Sequence, residues 1–132
     1  MNDKNQNMSN EDKRETPRLE ERNKVTVTVL SSPEAPEIER KNFHCWTRDL
    51  SVGGLKFTVH SHVPIGAVLK LEVSFMTEGG EAFRHIGKVM WEQEFEEDGI
   101  ISSWLGVKFT ETLGGDARLK DWERIINDKL EI

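Results

Sequence analysis

The chain has 132 residues, a net charge of -6 at neutral pH, 36% hydrophobic and 32% charged residues, and one cysteine. That size allows one modest core and no cleft between lobes, and the acid excess argues against holding long nucleic acid by broad phosphate neutralisation. There is no apolar run of membrane-span length, no signal-peptide core in the polar start Met1–Asn10, and no disulfide partner for Cys45, so a cytoplasmic protein is expected.

Residues 1–12 are polar, rich in Asn and aperiodic, and are expected to form a disordered tail. Residues 1–24 carry six basic and six acidic side chains, so the acid excess lies in the body that follows. Val25, Val27 and Val29 alternate with Thr26 and Thr28, a β-branched period-two pattern that predicts a strand. Pro33 and Pro36 interrupt pairing and predict a loop. Further strands are expected over Ile38–Arg48, Gly54–His60 and Val68–Phe75, with a turn at Pro64-Ile65-Gly66. A hairpin loop at Glu78-Gly79-Gly80 leads into a strand over Phe83–Trp91. The acidic stretch Glu92–Gly99 reads as an exposed connection, and Ser103–Phe109 as the last strand. Gly114 and Gly115 end the β pattern, and Asp116 is a candidate helix cap. Leu119, Trp122, Ile125, Ile126 and Leu130 recur at three- and four-residue spacing, which predicts an amphipathic helix over 115–130.

Six short antiparallel strands and one helix predict a mainly β fold. This is a six-stranded antiparallel barrel over 25–110, with the helix covering its open end or edge. Cys45 is expected as a small buried residue, and Trp46, Trp91 and Trp104 are assigned to the core. His60 and His62, with His44 and Cys45 nearby, lack the further ligands at suggestive spacing that a zinc site needs. No Ser/His/Asp order, apolar carboxylate pair or phosphate-cradling Gly-Lys loop is present, so the chain reads as a binding protein rather than an enzyme, without metal or cofactor.

Two polar motifs flank the Val25–Val29 strand. In Arg14-Glu15-Thr16-Pro17-Arg18, two guanidinium forks suit the O6 and N7 acceptors of a guanine or a pair of phosphate oxygens. The same spacing fits solvated charges balancing Glu15, Glu20 and Glu21. Arg22 repeats the spacing from Arg18, but closer to the strand, where a clasp would lack reach. In Asp49-x-Ser51-x-Gly53-Gly54, an acceptor-only carboxylate could take guanine N1–H and N2–H. The hydroxyl suits a phosphate, and the glycines permit close backbone approach. A plain turn between two strands fits this stretch equally.

Together, Arg14-xxx-Arg18 and Asp49-x-Ser51-xx-Gly54 resemble the two ligand motifs of the PilZ domain, the bacterial receptor family for cyclic di-GMP. Gly54–Phe57, Lys88–Trp91 and Leu105–Phe109 are similar to later strands of that family. The resemblance implies a single domain over 13–132 that binds cyclic di-GMP on the barrel's outer surface. Residues 13–24 would close over the ligand as a clasp. It assigns Arg14 and Arg18 to guanine edges and phosphates, Asp49 and Ser51 to a guanine and its phosphate, and Gly54, with Gly53, to an unobstructed strand start. The residue before the first motif arginine, Lys13 here, bears on whether one or two stacked ligands bind. An effector protein would read the ligand-dependent surface. A second reading keeps the fold as a protein–protein interaction domain acting without ligand.

Overall fold

In the computed structural model, residues 23–75 and 82–130 are described. Six strands, β1 (Lys24–Ser31), β2 (Asn42–Leu50), β3 (Gly54–Val59), β4 (Val68–Ser74), β5 (Ala82–Glu97) and β6 (Ile100–Thr112), precede one helix, α1 (Gly115–Leu130). They close into an antiparallel barrel of order β1-β2-β3-β6-β5-β4, with β1 paired to β4. Closure satisfies both lateral edges, which a six-stranded open sheet would leave as pairing templates.

Alternation along the strands fills the barrel. Val25, Val27 and Val29 from β1 point inward with Leu69, Leu71 and Val73 from β4 and Leu55, Phe57 and Val59 from β3, all at most 5% exposed. Their β-branched and aliphatic shapes suit a pleated, one-sided surface. Among the described residues no helix is long and apolar enough to cross a membrane.

Helix α1 closes one end. Trp122, Ile125 and Ile126 are buried, with Leu119 and Leu130 packed against the same core, as the spacing predicts. The Trp122 ring sits 5.6 Å from Phe75, 5.3 Å from Phe83 and 5.7 Å from Phe109, centroid to centroid. Arg118 lies 3.8 Å over the Phe83 ring and donates to the Ala82 carbonyl at 2.6 Å. The Asp116 carboxylate stands inside the first helical turn rather than before it, where it favours the positive end of the helix dipole.

Three expectations are corrected. Strand β2 begins at Asn42, not Ile38, because Pro36–Ile38 form a 3-10 turn and Arg40 adopts a left-handed φ of 73°. The acidic stretch 92–97 is not a connection: it extends β5 and pairs residue for residue with Ile100–Leu105 around an Asp98-Gly99 turn whose φ values are both positive. The two-residue positive-φ turn matches the twist of the hairpin, and the ladder forms even though Glu92, Glu94 and Glu96 share one strand face. Trp46 and Trp91, at 44% and 41% exposure, lie outside the core, and so does the half-buried Trp104, whose ring lies against Arg48, Lys56 and Phe95. The expected loop at 78–80 and the N-terminal tail lie outside the described residues.

His85, fully buried, stacks on Phe109 at 4.0 Å and meets Trp122 at 4.3 Å. Its Nδ1 lies 3.0 Å from the Thr112 hydroxyl, and its Nε2 has no hydrogen-bond partner. Burial first, and then the Arg118 charge, lower its pKa to about 4.

Two stability predictions follow from this packing. Trp122→Ala should cost about 3–5 kcal/mol in a denaturant titration, the range for deleting a buried aromatic. For His85, the unfolded chain takes up a proton near pH 6.5 while the fold resists until about 4. Its contribution is therefore intact above 6.5 and falls as pH drops from 6.5 to 4, by about 3 kcal/mol in all. His85→Leu should flatten that part of the stability-against-pH curve.

Candidate functional site

The turn between β2 and β3 carries the second motif. Ser51 N–H donates to the Gly54 carbonyl at 2.9 Å, and the Ser51 hydroxyl reaches the same oxygen at 3.3 Å. The Gly53 carbonyl accepts from Phe109 N–H at 2.8 Å, tying the turn to β6. Any Cβ at Gly54 would collide with the Val107 carbonyl oxygen, so glycine is required there by close strand approach. From the far side, the buried Trp122 indole N–H donates to the Val52 carbonyl at 2.9 Å. The motif therefore sits on a turn fixed by β6 and α1.

Strict alternation after inward Thr47 would send Asp49 into the barrel. A β-bulge intervenes: Thr47 pairs with Phe57, Asp49 with the next residue Lys56, and Arg48 is the extra residue. Asp49 thereby joins the outer face while Leu50 opposite Leu55 returns inward. Its carboxylate, 14% exposed, lies 3.9 Å from Lys56 Nζ. A second bulge does the same on β5. Val89 pairs with Val107 and Trp91 with Gly106, leaving Met90 extra, so Trp91 turns outward.

The register aligns these residues across four adjacent strands: Asp49 beside Lys56, Lys56 beside Gly106, Gly106 beside Trp91. The Trp91 indole lies on Gly106, where even a Cβ would collide with the ring. Lys56 Nζ lies 5.7 Å from the Trp91 ring centroid and 5.0 Å from that of Trp104, and Arg48 lies 5.2 Å over Trp104. This outer row combines a carboxylate, an ammonium and a half-exposed flat indole beside a backbone turn. Such groups can take hydrogen-bond donors, an anion and a planar ring respectively.

Of the residues expected from the motifs, Asp49, Ser51, Gly53 and Gly54 are brought together on this turn; Lys13, Arg14 and Arg18 lie outside the described residues. Asn23, buried at 1%, exchanges backbone and side-chain hydrogen bonds with Thr47 at 2.9 and 3.1 Å, which places the end of the N-terminal segment two residues from Asp49. Sequence reasoning missed Lys56 and Trp91. Their alternation suggested nothing for Lys56 and a core position for Trp91, and only the paired glycine at 106 could have hinted at an indole lying flat outside the barrel. Cys45 is half-buried against the core, and burial raises its thiol pKa to about 11, so it is not a reactive thiolate.

Comparison with known proteins agrees with this architecture. The structure resembles the PilZ domain of YcgR from Escherichia coli, solved with c-di-GMP (TM-score 0.62, 19% identity, 90% of this chain and 92% of that one). It also resembles the inhibitor of motility MotI/DgrA of Bacillus subtilis (TM-score 0.63, 11% identity, 90% and 51%). A third likeness is to MrkH of K. pneumonia (TM-score 0.60, 15% identity, 86% and 48%). The chain thus spans nearly all of an isolated domain but about half of the longer chains, and at these identities the likeness is one of fold. No curated protein matches it by sequence. The family model for the PilZ domain matches residues 12–125, and the chain belongs to the PilZ domain family.

Proposed function

We propose that the protein is a cyclic di-GMP receptor that binds its ligand on the outer face of the barrel, over the row Asp49–Lys56–Gly106–Trp91. The observation that carries this reading is that two bulges turn Asp49 and Trp91 onto one face beside the Ser51–Gly54 turn. Family membership and the likeness to a YcgR domain solved with c-di-GMP support it. Asp49 takes N1–H and N2–H of a guanine, and Trp91 offers that base a stacking face. Lys56 and the Ser51 hydroxyl suit a phosphate, while the glycine at 54, with Gly53, leaves the backbone approachable.

Arg14 and Arg18 complete the site from the N-terminal segment. Five residues separate Arg18 from Asn23, a reach of up to about 17 Å, and nine separate Arg14, up to about 31 Å. Both can therefore reach Asp49 from the Asn23–Thr47 anchor. Residues 13–24 act as a clasp of the single domain 13–132, and closing it changes the surface that an effector protein reads. Lys13 adds a cation without a guanidinium's stacking plane, which favours one ligand over a stacked pair. The chemistry assigned is binding, with no reacting group called for.

Calorimetric titration with cyclic di-GMP should give saturable heat with one ligand per chain. Absence of heat with a folded protein would leave the ligand-free interaction reading standing instead. Arg14→Ala, Arg18→Ala and Asp49→Ala should each weaken binding roughly tenfold to hundredfold, the worth of a charge-assisted hydrogen bond. Trp91→Ala should cost about 1–3 kcal/mol of binding if the indole stacks on a base. Gly106→Ala should weaken binding too, with a shift in tryptophan emission as the Cβ lifts the Trp91 ring.

A further inference from the structure

His60 and His62 do not act as a pair. His60 Nδ1 lies 2.6 Å from the Ser102 hydroxyl, whereas His62 Nδ1 lies 3.0 Å from Glu92 Oε2. The donors absent from the local sequence come from β5 instead. Glu92 and Glu94, two residues apart and so on the same strand face, stand across from the loop carrying His62. One ligand atom each from His62, Glu92 and Glu94 lie within 4.8 Å of one another.

We propose that His62, Glu92 and Glu94 bind a divalent transition-metal ion of the zinc class, a site that does not rest on the nucleotide reading. Metal–ligand distances of about 2.0–2.2 Å put tetrahedral donors roughly 3.3–3.6 Å apart, so a modest side-chain rotation completes the geometry. The side chains are built for that. Glu92, 12% exposed, is held by the Ser103 hydroxyl, which donates to its Oε2 at 3.1 Å. His62, 60% exposed, turns at little cost.

Charge favours an incoming dication. Among the described residues neither Glu92 nor Glu94 forms an ion pair with a lysine or arginine, and the same hairpin carries Glu96, Glu97 and Asp98. The imidazole selects zinc-class ions over magnesium or calcium. Water fills the fourth position. Bound metal would pin the β3–β4 loop to the β5–β6 hairpin one residue beyond Trp91.

Titrating the untagged full chain with Zn2+ in a calorimeter tests this, with Mg2+ as the hard-ion control. One saturable zinc site with an affinity tighter than about 100 μM is expected, with no heat from Mg2+. His62→Ala and Glu94→Gln should each weaken it about tenfold or more, while His60→Ala and Cys45→Ser leave it unchanged. The exposed positions of His62 and Glu94 let both variants fold, which circular dichroism checks. Absence of saturable zinc binding would overturn the site. So would binding that survives both variants, or that disappears with Cys45→Ser.

Discussion

Trp122 connects the stability of this domain to its candidate site. Its indole fills the end of the barrel among Phe75, Phe83, His85 and Phe109, while its N–H reaches through to the Val52 carbonyl on the motif turn. A buried indole N–H without an acceptor would carry a desolvation penalty, so the turn and the helix constrain one another. The helix is a cap in both senses: it seals apolar surface and holds the backbone on which Asp49, Ser51 and Gly54 are displayed. Removing the apolar face of α1 would therefore loosen the turn as well as open the core.

The second constraint is the paired bulges. A barrel of strict alternation would have buried Asp49 and Trp91, one an uncompensated charge and the other a bulky ring in an already filled interior. One extra residue in β2 and one in β5 move both to the outer face, and the register then lines them up through Lys56 and Gly106. The site is thus a row across four strands rather than a pocket. Its rigidity comes from ladder hydrogen bonds. Asn23, the first described residue, is hydrogen-bonded to Thr47 beside this row.

The β5–β6 hairpin has its own logic. Its strands run past the barrel, so the acidic residues of β5 avoid the core, with Glu92, Glu94 and Glu96 on one face of a two-stranded ribbon and Glu97 on the other. One of those faces meets the loop after β3, where His62 and Glu92 join loop to ribbon. Trp91 and Glu92 are consecutive in β5 and face opposite sides, so the candidate nucleotide face and the His62–Glu92 contact lie on opposite sides of the strand.

Local sequence determined the strands with β-branched alternation, the amphipathic face of α1 and the two polar motifs, because these depend on short-range periodicity and on residue chemistry. Val25–Val29, Val68–Phe75 and Leu119–Leu130 were legible for that reason. The start of β2 was misread because a 3-10 turn at Pro36–Ile38 carries no apolar period, and the acidic half of β5 because charge patterns resemble a loop until a partner strand pairs with them. Which way Asp49 and Trp91 face, what Lys56 stands beside and which carboxylates His62 meets were decided only by tertiary structure. Each depends on register between strands distant in sequence, and a single extra residue in one strand reverses every orientation that follows it.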